Sequence, residues 1–385
     1  MSTTNTTPIR RTRPLHAAGF TTAFGAHGIA ANLGGFSEDA VTSLLVLGGL
    51  LALYDGAEVV LKPVFGSLAD RIGAKPVLVG GLLAFSAASA LYVAAGSPGW
   101  LWAARLGQGA AASAFSPAAS ALVARLNPAA EHGRAFGSYG FSKSLGYTLG
   151  PLLGGLLVWA GGLALLFLVL AVPAVPPLPK QRQTLLDLAR RLADRSFLAP
   201  TSALAAATAA LSVGVGFLPV SGAAAGLGTV ATGAAVSVLA ATAAVVQPYA
   251  GRALDAGRLT TRKGLTRGLA VTAAGLFAAM LPGLAGVLVA ACLIGAGTGL
   301  VTPLGFAALA NATPTERLGQ TMGAAELGRE LGDAGGPLLV AVVASAATLA
   351  YGYAALATLT AIGVIIGMAV GRRPAPGPES RPTRG

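Results

Sequence analysis

The sequence predicts an all-α polytopic membrane protein of twelve transmembrane helices in two six-helix repeats. Three observations point there. Residues of the set AVILMFWYC make up 54% of the 385 residues and charged residues only 10%, against about 25% charged in soluble globular domains. Apolar stretches of about 20 residues, the length that crosses a bilayer, recur along the chain. Sequence features of the first half also return in the second at a constant offset.

Cut at charged or Gly/Pro-rich breaks, the spans fall near 15–35, 41–65, 77–95, 100–124, 135–158, 162–179, 198–221, 226–250, 265–281, 284–310, 320–345 and 348–370. The first carries His16, His27 and Asn32, and the fifth and sixth part at Gly161–Gly162. Residues 1–14 form a polar tail with Arg10, Arg11 and Arg13, and no cleavable signal sequence is expected there. The first bundle is 15–179, the second 198–370, and 371–385 is a second polar tail. In the connecting stretch 180–197, Leu185, Leu188 and Leu192 with flanking arginines predict an amphipathic helix on the membrane surface.

The formal charge of +12 suggests nucleic acid only until the basic residues are placed. The even-numbered connections and the two tails hold 22 of the 26 Lys and Arg; the other four, Lys62, Arg105, Lys143 and Arg329, lie inside spans. Odd-numbered connections such as 36–40 and 96–99 hold none. This bias predicts that both termini are cytoplasmic, and it accounts for the charge without a nucleic-acid partner. The single cysteine, Cys292, rules out an intrachain disulfide or a CxxC metal site. The glycine run Gly295-Ala296-Gly297-Thr298-Gly299 lies mid-span with no strand before it and reads as packing. No GxxxxGK[ST] sequence suggests an ATP-driven pump. No catalytic residues, metal or cofactor are expected.

The repeat is direct. Gly150-Pro151-Leu152-Leu153 returns 186 residues later as Gly336-Pro337-Leu338-Leu339. At the same offset Pro117 meets Pro303, Gly133 meets Gly319, Gly137 meets Gly323, Lys143 meets Arg329 and Gly146 meets Gly332. Gly66 and Asp70 meet Gly251 and Asp255 at 185. Two bundles in the same orientation follow from this duplication.

Three segments carry a family resemblance. Gly66-Ser67-Leu68-Ala69-Asp70-Arg71-Ile72-Gly73-Ala74-Lys75 joins spans two and three. Arg105-Leu106-Gly107-Gln108-Gly109 lies in span four, and Gly146-Tyr147-Thr148-Leu149-Gly150-Pro151-Leu152-Leu153-Gly154-Gly155 in span five. With these the chain resembles the major facilitator superfamily over residues 15–370, and its drug:proton antiporter branch in particular. Ala74 departs from the pattern, standing where a basic residue is usual. The resemblance implies a gating role for Gly66, Asp70, Arg71, Gly73 and Lys75, with Asp70 in a loop against the start of span eleven near Gly319–Gly323. It implies an antiporter signature at Gly146, Gly150, Pro151, Gly154 and Gly155. Glycines four apart also form a smooth helix face, and Pro151 removes a backbone donor and bends the span.

The charges inside spans are the strongest functional signal. Asp55, Glu58 and Lys62 share one face of span two; Glu326, Glu330 and Asp333, with Arg329 beside them, lie on span eleven. With Arg105 and Lys143 this makes five acids against four bases. At a helix centre each charge costs about 2.5–3.5 kcal/mol, so the groups pair, protonate or face water. Static salt bridges explain some of them, Glu58–Lys62 first; a surplus carboxyl suits a proton carrier. Counting 1.5 Å per residue from Gly66 and Gly319 puts Asp55 and Arg329 both about 15 Å deep, which predicts that these two pair. Phe24, His27, Asn32, Gln108, Lys143 and Phe217 are further cavity candidates in otherwise apolar spans.

The expected function is therefore a secondary transporter of the cytoplasmic membrane of a bacterium, acting as a monomer. Its partners would be protons, the lipid bilayer and a small amphipathic or lipophilic compound, exported by alternating access. A proton symporter or uniporter importing a metabolite, and a non-transporting sensor or scaffold, are the alternatives.

Overall fold

A backbone in hydrocarbon must satisfy its own hydrogen bonds, and among the described residues every regular element is a helix. The structure, a computed structural model, describes residues 15–25, 40–95, 98–170 and 195–370. The helices are α1 (15–25), α2 (Ala40–Ile72), α3 (Ala74–Ala95), α4 (Pro98–Leu126), α5 (His132–Leu170) and α6 (Arg195–Ala224). They continue with α7 (Thr229–Asp255), α8 (Thr261–Ala278), α9 (Gly283–Asn311), α10 (Leu318–Ala346) and α11 (Leu349–Val370). Helices α6 to α11 correspond to predicted spans seven to twelve. His27, Asn32, both tails and the surface helix expected in 180–197 lie outside the described residues, apart from the start of α6.

Two local expectations change. The break at Gly161–Gly162 is absent: α5 runs unbroken from His132 to Leu170. Neither glycine has positive φ, and the leucines and alanines that follow favour continued helix. Asp70 is not in a loop either, because α2 continues to Ile72 and is 33 residues long. At 1.5 Å per residue that is about 50 Å, enough to project beyond a bilayer core of about 30 Å. The helix stops at Gly73, whose φ of 100° suits glycine and strains any other residue.

Among the described residues, four helical stretches are long and apolar enough to cross a membrane: Ala74–Leu91, Phe197–Ala224, Gly233–Asp255 and Gly283–Asn311. In α10 such a stretch is interrupted by Glu326, Arg329, Glu330 and Asp333, and in α2 by Asp55, Glu58 and Lys62. Large apolar side chains face outward along the bundle, among them Val60, Leu156, Leu338, Val342 and Ile365, as lipid-facing surface requires.

The two halves meet where α2 packs along α10 and α5 packs along α7. The repeat relates these pairs, since α2 matches α7 and α5 matches α10. One hydrophobic core joins both halves: it includes Ala69, Leu78, Leu122 and Phe136 from the first, and Leu204, Phe306, Leu318 and Met322 from the second. These residues lie toward the ends of the helices that carry Arg71, Arg125, Arg134 and Arg252, called here the basic face. A second core, with Leu218, Leu239, Leu276, Ile294 and Tyr353, belongs to the second half alone. The seam is thus packed shut at the basic face.

Candidate functional site: the seam between the two halves

At the basic face two aspartates cross the seam to helix starts. Asp70 accepts hydrogen bonds from the backbone N–H of Gly319 at 2.7 Å and of Gln320 at 2.6 Å. Asp255 accepts from Gly133 at 2.8 Å and Arg134 at 2.7 Å. A helix start offers unpaired N–H groups and a partial positive charge, so both carboxylates are held by helices of the opposite half. Arg125 secures the first contact, donating to Asp70 at 2.8 Å and to the Thr315 carbonyl at 3.2 Å. His132 reaches Asn311 at 2.6 Å across the same seam.

Glycines let the backbones come close enough for these bonds. A Cβ on Gly66 would lie 2.6 Å from the Gly319 carbonyl oxygen, and one on Gly137 would lie 2.5 Å from that of Gln247. Gly66 and Gly137 are thereby paired with α10 and α7. Gly146, by contrast, approaches Phe20 of α1 within its own half, at 2.5 Å from the Phe20 carbonyl oxygen. Gly150 is buried; the surroundings of Pro151, Gly154 and Gly155 lie outside the described set, although α5 continues through them.

Deeper in the seam, Lys62 is 2% exposed and is shared by two carboxylates. Glu58 is its neighbour one turn away on α2, and Glu330 reaches it from α10 at 2.5 Å. Arg329 turns instead to Glu326 on its own helix at 3.0 Å, and its Nε donates to Thr208 at 3.3 Å. The expected Asp55–Arg329 pair is therefore not formed. Helices α2 and α10 do face each other, but Cα depth misjudges where side chains meet. The Cα–Cβ bond tilts toward the helix N-terminus, and these helices run in opposite directions. Lys62 thus leans away from the basic face and Glu330 toward it, so they converge; Asp55 and Arg329 diverge. Asp55 and Asp333 are exposed and make no ion pair among the described residues.

Arg105 is 1% exposed in α4. Its guanidinium stacks 4.3 Å from the Tyr54 ring centre and donates to Gln108 at 3.3 Å, and Gln108 donates to Ser89 at 2.9 Å. Among the described residues it has no carboxylate within ion-pair distance. The pair Arg105–Gln108 belongs to the interior of the first half.

Between the halves lies a partly open cavity of about 60 Å³. Lys143, Glu326, Arg329, Tyr139, Tyr147 and Gln247 line it, with Phe136 and Phe306 forming one wall. Lys143 is the cavity candidate that reaches it. Phe24 stacks on Phe20, Gln108 is engaged as above, and Phe217 packs on the second core. The sequence reading passed over Tyr139, Tyr147, Phe136 and Gln247. Tyr139, Lys143 and Tyr147 are spaced four apart in α5, a polar-aromatic face that could have signalled them. Gln247 lies one turn before Gly251, the repeat partner of Gly66.

Two matches to the Major Facilitator Superfamily model cover residues 15–220 and 201–385. Among curated proteins, a probable actinorhodin transporter of Streptomyces coelicolor is 37% identical over 130 residues, 34% of this chain and 21% of that one. A puromycin resistance protein of Streptomyces alboniger is 41% identical over 114 residues, 29% of this chain and 20% of that one. The multidrug resistance protein MdtH of Yersinia enterocolitica is 34% identical over 147 residues, 34% of this chain and 36% of that one. The matches thus span only a fifth to about a third of those relatives' lengths. Among solved structures, the Escherichia coli fucose:proton symporter is 15% identical with a TM-score of 0.76, covering 96% of this chain and 100% of that one. The human organic anion transporter MFSD10 is 17% identical with a TM-score of 0.74, covering 94% of this chain and 100% of that one. The fold is shared over nearly the whole length with those two structures, and with both halves matched by the family model the chain belongs to the Major Facilitator Superfamily.

Proposed function

We propose that this transporter exports a small amphipathic or lipophilic compound in exchange for protons, by alternating access at the cavity between its halves. The observation that carries the coupling is Lys62. It is buried, it ties α2 to α10, and it is contested by Glu58 and Glu330. Two carboxylates on one ammonium leave a negative charge in a poorly hydrated seam, and a proton removes it. Protonating Glu330 frees Lys62 to stay with Glu58, which loosens the bond between the halves. Ligands and protons shift such an equilibrium only by their differential affinity for its two states, and a charge exchanged between domains supplies that difference.

The basic face is the cytoplasmic one in this reading, so the structure is closed to the cytoplasm. Asp70, Asp255, Arg125 and the glycine contacts hold that closure, while Asp55, Glu58, Arg105, Glu326, Arg329, Glu330 and Asp333 form the charge network around it. Efflux rather than import is supported by the antiporter-type segment around Gly146–Gly155 and by relatives named for actinorhodin transport and for puromycin and multidrug resistance.

A growth-inhibition panel with and without expression identifies an exported compound, and inside-out vesicles then test its coupling. With the vesicle interior acidified, that compound should accumulate inside, and its addition should alkalinise the lumen. Accumulation that survives collapse of the pH gradient would remove the proton from the mechanism. Uptake by right-side-out vesicles under an acid-outside gradient would make the protein a symporter.

A further inference from the structure

We propose that the cavity between the halves takes a hydroxylated aromatic anion, with Lys143 as its counter-ion. This rests on the reading of that cavity as the transport site. The first observation is a charge count. Lys143, Arg329 and Glu326 line the cavity, two cations to one carboxylate. Glu326 is already committed to Arg329 at 3.0 Å. Lys143 is not: its ammonium donates to Ser116 at 3.2 Å and lies 5.9 Å from the Tyr147 ring centre. Among the described residues no carboxylate is within ion-pair distance of it, although Glu326 is close enough to attract it. A cationic ligand would meet an excess of positive charge there, and an anionic one would complete the pairing.

The second observation is the wall. The rings of Phe136 and Phe306, one from each half, stack 18° from parallel with centres 5.5 Å apart. Both rings are buried, and with Tyr147 they make the apolar side of the cavity. The third is a pair of orphaned polar atoms. The Tyr139 hydroxyl and the Gln247 Oε1 atom are buried with no hydrogen-bond partner among the described residues, and both residues line the cavity. Buried polar groups find partners, so whatever enters the cavity supplies them. The phenol can donate to a ligand oxygen, and the amide oxygen can accept from a ligand hydroxyl. In this closed conformation the cavity measures about 60 Å³, below the about 300–1,000 Å³ of small-molecule sites, so a planar ligand enters as the halves part.

Equilibrium binding to the purified full-length protein tests this with four probes of one ring system. They are 3-hydroxy-2-naphthoate, 2-naphthoate, the neutral 2-naphthamide and the cationic 2-naphthylmethylamine. The hydroxynaphthoate should bind at least tenfold more tightly than the amide, and the amine more weakly than either. Lys143→Gln should erase the preference for carboxylate over amide while leaving amide affinity unchanged, which also shows that the variant is folded. Lys143→Arg should keep the preference, and Tyr139→Phe should lower hydroxynaphthoate affinity toward that of 2-naphthoate. The proposal is overturned if the amine binds as well as the carboxylates, if the preference survives in Lys143→Gln, or if none of the four binds. Flux of the same probes in inside-out vesicles is read separately. Binding without flux removes the export reading and leaves the anion site standing.

Discussion

Lys62 decides the behaviour of the deeper seam because it pairs with a carboxylate from each half. Removing it leaves Glu58 and Glu330 facing each other without a cation, whereas removing Glu330 leaves a satisfied Glu58–Lys62 pair. Breaking a buried pair by deleting one partner costs about 3–5 kcal/mol. Lys62→Gln should therefore lose about 3 kcal/mol or more in detergent-driven unfolding, and Glu330→Gln less than half of that. In the double variant the coupling energy between the two should be about 1 kcal/mol or more; strictly additive losses would show that the contact carries no energy. The eight other intramembrane charges were legible as a set from the sequence, and so was the Glu58–Lys62 pair. The cross-seam partner was not. Depth along an axis is readable from residue counts, but each side chain leans toward the N-terminus of its own helix, so which ones converge depends on the helix packed opposite.

At the scale of elements, closure of the basic face depends on helix ends and on the absence of side chains. A carboxylate at a helix N-terminus contributes typically 0.3–1 kcal/mol, and up to about 2 when partly buried. Asp70→Asn and Asp255→Asn should each leave the protein in the membrane and lower turnover. A cysteine at Ser120, in the cavity lining, should become more reactive to a thiol reagent from the cytoplasmic side in both. Equal reactivity in variant and parent would limit these aspartates to a structural part. Gly66→Ala makes a sharper case, since its methyl would press on the Gly319 carbonyl and on the Gly323 backbone. It should block closure and abolish transport. Gly56→Ala in the same helix meets nothing within 4 Å and should transport normally. The sequence marked Gly66 and Asp70 through their repeat partners. It also placed Asp70 in a loop, because a polar, charged run resembles a connection. No Gly or Pro lies between Gly66 and Gly73, and the docked α10 keeps the last turns of α2 wound.

For the whole molecule the remaining question is orientation. In a Cys292→Ala background, Leu281→Cys lies between α8 and α9 and Ala256→Cys lies between α7 and α8, both at exposed positions. An impermeant thiol reagent added to intact cells should label the first and not the second; the reverse pattern would invert the topology and the direction of export with it. Helical class and the two repeats were determined by sequence alone. They rest on local rules: apolar length against bilayer thickness, charge placement along the chain, and a repeat offset that needs no coordinates. The Asp70 contact to the start of α10 was implied by the family resemblance, and its Asp255 counterpart came from the structure. The tertiary structure decided which groups meet. Lys62 finds Glu330 instead of Asp55 finding Arg329, the cavity is walled by Phe136 and Phe306 from opposite halves, and Lys143 is left with no acid in contact. Those outcomes depend on how two antiparallel helices lean and how closely glycines let them approach. These are properties of pairs of elements, and a single chain read in order does not contain them.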